Sequence, residues 1–396
     1  MFHDLVRRVE ETTPTPRDHA SETPRDRASA APPNRASETP RDRAVDTLRA
    51  LAIAGVVLGH WLVTAPVADS GVLRVTSPLT YMPQLAPVSW LFQTMAVFFF
   101  VGGRVAVESH GRARGRSVGH GRWAAARMAR LFRPVVPLVG VWSAAAVAML
   151  AWGADPGTVY ALVKLALAPM WFLLVFAALT AVTPLAARLH PVWPLAAVAV
   201  ADLVRFGLDG PSWVGWINVG TGWLVPYCLG ALWAGGRLGG RVTGWALLLG
   251  GAAATAGLVL WAGYPASMVG VPGAPVSNQS PPTLAAVAFG LAQCGAALLL
   301  AGPLRRVLRR PGAWAPVAVA NLSAMTIFLW HQTALIAVTT AALWLAGGPL
   351  PGLHTVPGDP GWVAARLAWL PAFAAALAVC RAVFRRHEAP RGPRVP

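Results

Sequence analysis

The chain has 396 residues, 55% of them hydrophobic and 12% charged, with a formal net charge of +17. Apolar runs of about twenty residues recur between residues 47 and 384, which excludes an ordinary soluble domain and indicates an integral membrane protein. The arginines are bunched between those runs without the aromatic-interleaved basic face of a nucleic-acid binder, so no nucleic-acid partner is expected.

Residues 1–45 are rich in Pro, Arg, Asp, Ser and Thr. ASETPRDRA at 20–28 returns unchanged at 36–44. A segment of this composition has too little apolar surface to order itself, and a disordered cytoplasmic tail is expected. The first apolar run begins only after this polar stretch, so it is expected to stay in the protein as an anchor and not to be cleaved as a signal sequence.

From there an all-α, polytopic helical bundle is expected over residues 46–386, with a short cytoplasmic tail at 387–396. About ten spans are expected, near 47–67, 85–103, 134–153, 169–187, 191–206, 217–236, 243–263, 283–303, 322–345 and 363–384. The segments after the second, fourth, sixth and eighth spans carry most of the arginines, including Arg104 to Arg133 and Arg305 to Arg310. The positive-inside rule then places both termini and these segments in the cytoplasm, giving a multi-pass protein of the cell (plasma) membrane. Cys228, Cys294 and Cys380 lie in apolar runs without paired spacing and are read as packing residues. The histidines show no ligand spacing, so no metal is expected.

The first span contains RALAIAGVVLGHW, residues 49–61. Eleven residues of α-helix turn the chain by three turns plus about 20° and raise it by about 16 Å, so Arg49 and His60 share a face. Arg49 belongs at the cytoplasmic mouth and His60 near mid-membrane, where an unpaired polar group costs several kcal/mol. Asp46 falls on the same stripe and could orient the Arg49 guanidinium. His60 either hydrogen-bonds a neighbouring helix or marks a working site, the reading favoured for intramembrane ionisable groups.

Arg49, ten residues and then His60 resemble the opening motif of the acyltransferase 3 family, membrane O-acyltransferases of sugars, lipids and natural products. FFFVGG (98–103) is similar to that family's FF-x-S-G, and RMAR (127–130) to its R-x-x-R. MWFL (170–173), NQSPPTL (278–284) and FLWH (328–331) also resemble family segments, in order, so the resemblance covers residues 43–345. Gly102 departs from it, standing where the family commonly has serine.

The resemblance implies an acyl-CoA co-substrate, often acetyl-CoA, with no permanently bound cofactor, and a hydroxyl-bearing acceptor. His60 can take the hydroxyl proton, directly or through a transient acyl-histidine. Arg127 and Arg130, three apart on a helical turn, suit the phosphates of coenzyme A, although ordinary positive-inside charge also accounts for them. Arg49 could share that task. His331 orients the acceptor, shares proton transfer, or is a satisfied packing histidine. Trp171 and Phe172 either wall an acyl pocket or anchor a span at the interface. Asp202 and Arg205, three apart, are expected to pair with each other. The expectation is therefore a membrane acyltransferase. A transporter with a polar pathway is the alternative, weakened by the lack of repeated halves, and a structural partner of an envelope assembly is a third reading.

Overall fold

A computed structural model describes residues 42–69 and 72–388. The expectations for residues 1–41 and 389–396, including most of the repeat, lie outside the described residues.

Among the described residues, thirteen α-helices have eleven residues or more. They are α1 (Arg43–Val63), α2 (Met95–Gly115), α3 (His120–Phe132), α4 (Val135–Ala151), α5 (Pro156–Leu167), α6 (Met170–Ala181) and α7 (Val192–Asp202). They continue as α8 (Ile217–Ala234), α9 (Arg241–Trp261), α10 (Leu284–Val307), α11 (Pro311–Leu322), α12 (Ala324–Ala346) and α13 (Pro360–Phe384). Strands β1 (Ala65–Asp69) and β2 (Val72–Thr76) form an antiparallel hairpin after α1, with Ala65 opposite Thr76.

Among the described residues, eight helical segments are long and apolar enough to cross a membrane. These are α1, α2, α3 with α4, α5 with α6, α9, α10, α12 and α13. The expected fifth and sixth spans are also helical, but α7 has 11 residues before a π-turn at Leu203–Gly207, and α8 has 18. Neither is among the eight.

Local chemistry sets the ends of α1. Asp42 caps it, its carboxylate accepting from the Ala44 N–H at 3.1 Å, so the helix starts inside the second repeat copy. Pro66 lies shortly beyond Val63. Proline lacks an amide donor and disfavours helical backbone before it, so the chain leaves the helix at Thr64 and enters the hairpin, short of the expected residue 67.

Asp42 also ties three helices together at one end of the bundle. It meets Arg104 of α2 at 3.3 Å and Arg305 of α10 at 2.8 Å. Burial opposes its ionisation, but Arg305 and Arg104 beside it hold the carboxyl below the usual carboxylate range. Nearby, Arg43 donates to the Leu308 carbonyl at 2.7 Å, and Glu388 accepts from the Met325 and Thr326 amides, both at 3.1 Å. The arginine-rich segments therefore gather at the end where α1 begins. The hairpin and the loops before α10 and α13 gather at the other.

Close helix contact fixes the interior. A Cβ at Gly103 would collide with the Tyr227 carbonyl, and one at Gly230 with the Phe100 carbonyl, so these glycines bring α2 and α8 into backbone contact. The core beside this seam is aromatic. Phe99 stacks on Trp223 with centroids 5.1 Å apart, and Phe98 meets Phe172 and Phe176 edge-on at 4.9 and 5.1 Å.

Candidate functional site

Helices α1 and α12 carry the two intramembrane histidines to each other. The His60 and His331 ring centroids lie 5.1 Å apart, with the planes tilted by 41°. The indole N–H of Trp61 donates to the His331 carbonyl at 2.9 Å, locking the helices at this level. Trp61 also packs on Phe373 of α13, with ring centroids 5.5 Å apart, and His60 lies in the last turn of α1. His331 is fully buried, and its Nδ1 lies 2.6 Å from the Phe328 carbonyl. A carbonyl only accepts, so Nδ1 carries the proton and a neutral His331 presents a bare lone pair at Nε2. That Nε2 has no hydrogen-bond partner.

The last turn of α1 is held from outside. Arg366 of α13, fully buried, donates through Nε to the Trp61 carbonyl at 2.6 Å, through Nη1 to the Gly352 carbonyl at 2.9 Å, and through Nη2 to the Thr64 carbonyl. Its guanidinium also faces the Phe373 ring at 4.9 Å. Carbonyls that a helix end leaves without intrahelical partners are thus paired with a cation.

His60 lines a cavity of about 300 Å³. One wall is the Val56–His60–Val63 face of α1, another the Phe328–Gln332 face of α12, and a third Trp171 and Phe172 of α6. Other walls come from the end of β2, the segment after it and the loop before α10, including Thr76, Ser77, Val269 and Gln279, at the end opposite the arginines. His60 is the one titratable side chain among the described lining residues, and none of them is Arg, Lys, Asp or Glu.

The other expected site residues lie toward the basic end. Arg49 donates through Nε to Asn321 Oδ1 at 2.7 Å and meets Asp46 at 3.6 Å, while Asn321 Nδ2 donates to the Asp46 carbonyl at 2.8 Å. Arg127 donates to Ser109 Oγ at 3.2 Å and covers the Trp123 ring. It lies near Arg49, Arg112, Arg130 and Tyr227. Arg130 is exposed, its Nε donating to the Ala126 carbonyl at 3.2 Å. Arg49, Arg127 and Arg130 do not line the His60 cavity. Phe172, on the cavity wall, belongs to the aromatic cluster with Phe98, Phe99, Phe176 and Trp223.

A family model described as an acyltransferase domain, acyltransferase 3, matches residues 42–385. The chain belongs to the acyltransferase 3 family. Neither the curated proteins nor the solved structures compared contain a match to it. It is a membrane acyltransferase, and the family match spans every helix described above.

In this acyltransferase 3 chain, the Gly102 departure has a structural counterpart. A Cβ there would collide with Cε2 of Phe176, so the ring occupies the space that a serine side chain would need. The expected pairing of Asp202 with Arg205 is replaced. Asp202 accepts from Asn218 Nδ2 at 2.8 Å, the Tyr264 hydroxyl at 3.0 Å and the Leu284 amide at 2.6 Å, while Arg205 lies over Phe206. Two residues not singled out from the sequence, Arg366 and Gln332, complete the neighbourhood. Arg366 reads in sequence as a charge at a span edge. Gln332 reads as a lone amide beside His331. An intramembrane polar group is the only sequence signal either gives.

Proposed function

We propose that this protein moves an acetyl or other short acyl group from acyl-CoA to a hydroxyl of a sugar, lipid or natural-product acceptor. The single observation that supports this reading best is that His60 is the sole titratable group on the described wall of a small, mostly apolar cavity. A cavity of about 300 Å³ is at the small end of ligand sites and suits a short acyl group with the reacting end of an acceptor.

In the proposed reaction, His60 takes the acceptor's hydroxyl proton as the oxygen attacks the thioester carbonyl carbon. The tetrahedral intermediate then collapses, the C–S bond breaks, and the sulfur leaves with the proton held by His60, giving ester and free CoA thiol. His331 is the orienting partner. Its bare Nε2 suits an N–H from His60, directly after a small ring rotation or through one water, leaving the other His60 nitrogen free as the base. Arg49, Arg127 and Arg130 would hold the CoA phosphates at the basic end, with Asp46 and Asn321 fixing the Arg49 fork. The thioester arm would reach His60 along α1, a rise of about 16 Å, past the Phe98–Phe172–Phe176 cluster. The basic end would face the cytoplasm and the membrane would be the plasma membrane.

The test compares cells making wild-type or His60→Gln protein at equal membrane levels, with mass spectrometry of their glycans, lipids and secreted metabolites. An acylated product that falls about 100-fold or more supports the base role, provided that purified H60Q still binds acetyl-CoA. Undiminished product rejects it. Solute uptake with no covalent product in either strain would favour transport.

A further inference from the structure

Gln332 is fully buried, and neither its amide nitrogen nor its amide oxygen has a hydrogen-bond partner. A glutamine inside a membrane bundle ordinarily bonds across to another helix, because hydrocarbon offers nothing else. This one instead lines the same cavity as His60, on the helical face it shares with Phe328. Its surroundings give no structural reason for an amide there.

The transfer chemistry leaves one role unfilled. His60 accepts the acceptor's proton, but the thioester oxygen becomes anionic on attack and needs a donor preplaced in a dry site. No Arg or Lys is among the described lining residues. Gln279, near the loop mouth, directs its Nε2 to Met95 Sδ at 2.8 Å. Gln93 is held by the Met95 amide, which donates to its Oε1 at 3.0 Å, so of the three lining glutamines Gln332 alone has both amide atoms buried without a partner. We infer that Gln332 is a further catalytic residue, whose amide N–H donates to the thioester carbonyl oxygen and holds the oxyanion while His60 carries the proton. No atom is transferred to or from Gln332. This assignment rests on the acyl-CoA reading above.

The test needs no acceptor. Acetyl-CoA labelled with carbon-13 at the carbonyl is bound to purified protein, and the carbonyl stretch is read by isotope-edited infrared difference spectroscopy. Wild-type protein should lower the band frequency relative to free acetyl-CoA. Gln332→Leu should return it to the free position while the acetyl-CoA Kd stays within about threefold. Gln332→Met, which keeps the length without an N–H, should do the same and serves if the leucine variant unfolds. In turnover, both should lose roughly 100- to 1,000-fold in kcat. A wild-type band that is unshifted, or equally shifted in both variants, overturns the assignment and leaves the donor reading intact. Failure of wild-type protein to bind acetyl-CoA at all overturns the donor reading and this role with it.

Discussion

Gly102 shows how a missing side chain can be a packing decision. The family motif commonly places a serine at this point, whereas here Phe176 fills the space against α2 and joins Phe98 and Phe99 in the aromatic cluster. Restoring the hydroxyl by Gly102→Ser should therefore push on the Phe176 ring and destabilise the protein by about 1–3 kcal/mol, the usual cost of overpacking. Combining it with Phe176→Leu should recover part of that loss, because the two residues share one space and their effects will not add. Thermal unfolding of the two single variants and the double variant checks this. A G102S protein as stable as wild type would show that the ring yields freely and does not define the cluster. The departure at Gly102 was visible in the sequence. Its compensation was not, since Phe176 lies 74 positions further along in a run of apolar residues.

The last turn of α1 is the element on which the site depends, and its stability comes from α13. Arg366 supplies three donors to three backbone carbonyls, two of them at the end of the helix that carries His60. Arg366→Gln removes the charge and most of the donors, leaving buried acceptors that each cost about 1–3 kcal/mol when unpaired. The expected outcome is a loss of about 3 kcal/mol or more in stability. Product formation per folded molecule should also fall, by as much as roughly 100-fold if His60 moves by an ångström. A variant that keeps both its unfolding midpoint and its turnover would show that the α1 end is fixed without Arg366. Elements of this kind divide what a sequence can and cannot reveal. Helical periodicity alone put Arg49 and His60 on one face, and the apolar runs marked the long helices. The clamp was hidden because its partners are backbone carbonyls, and the Trp61 carbonyl lies 305 positions away. The hairpin was hidden because β1 and β2 are five residues each and sit beside a longer apolar run. Gln332 was hidden because an amide's lack of partners is a property of the packed helices.

Across the whole molecule, the two halves of the proposed chemistry face opposite ends. The Asp42–Arg104–Arg305 cluster, Arg49 and Arg127 lie where α1 begins, whereas the His60 cavity is walled by the segment after β2 and the loop before α10. In the proposed topology the first end would face the cytoplasm, so donor and acceptor would approach from different sides. Single cysteines decide this. Arg116, exposed in the arginine-rich segment, and Ala274, exposed in the loop before α10, are each replaced by cysteine in a Cys380→Ala background. Cys228 and Cys294 are buried and should remain silent. In sealed vesicles, a membrane-impermeant maleimide should label R116C only when the cytoplasmic face is outside, and A274C only in the reverse orientation. Labelling of both from one side would mean that an even number of crossings lies between them. A thioester held by the arginines would then have no reason to traverse the aromatic cluster to reach His60.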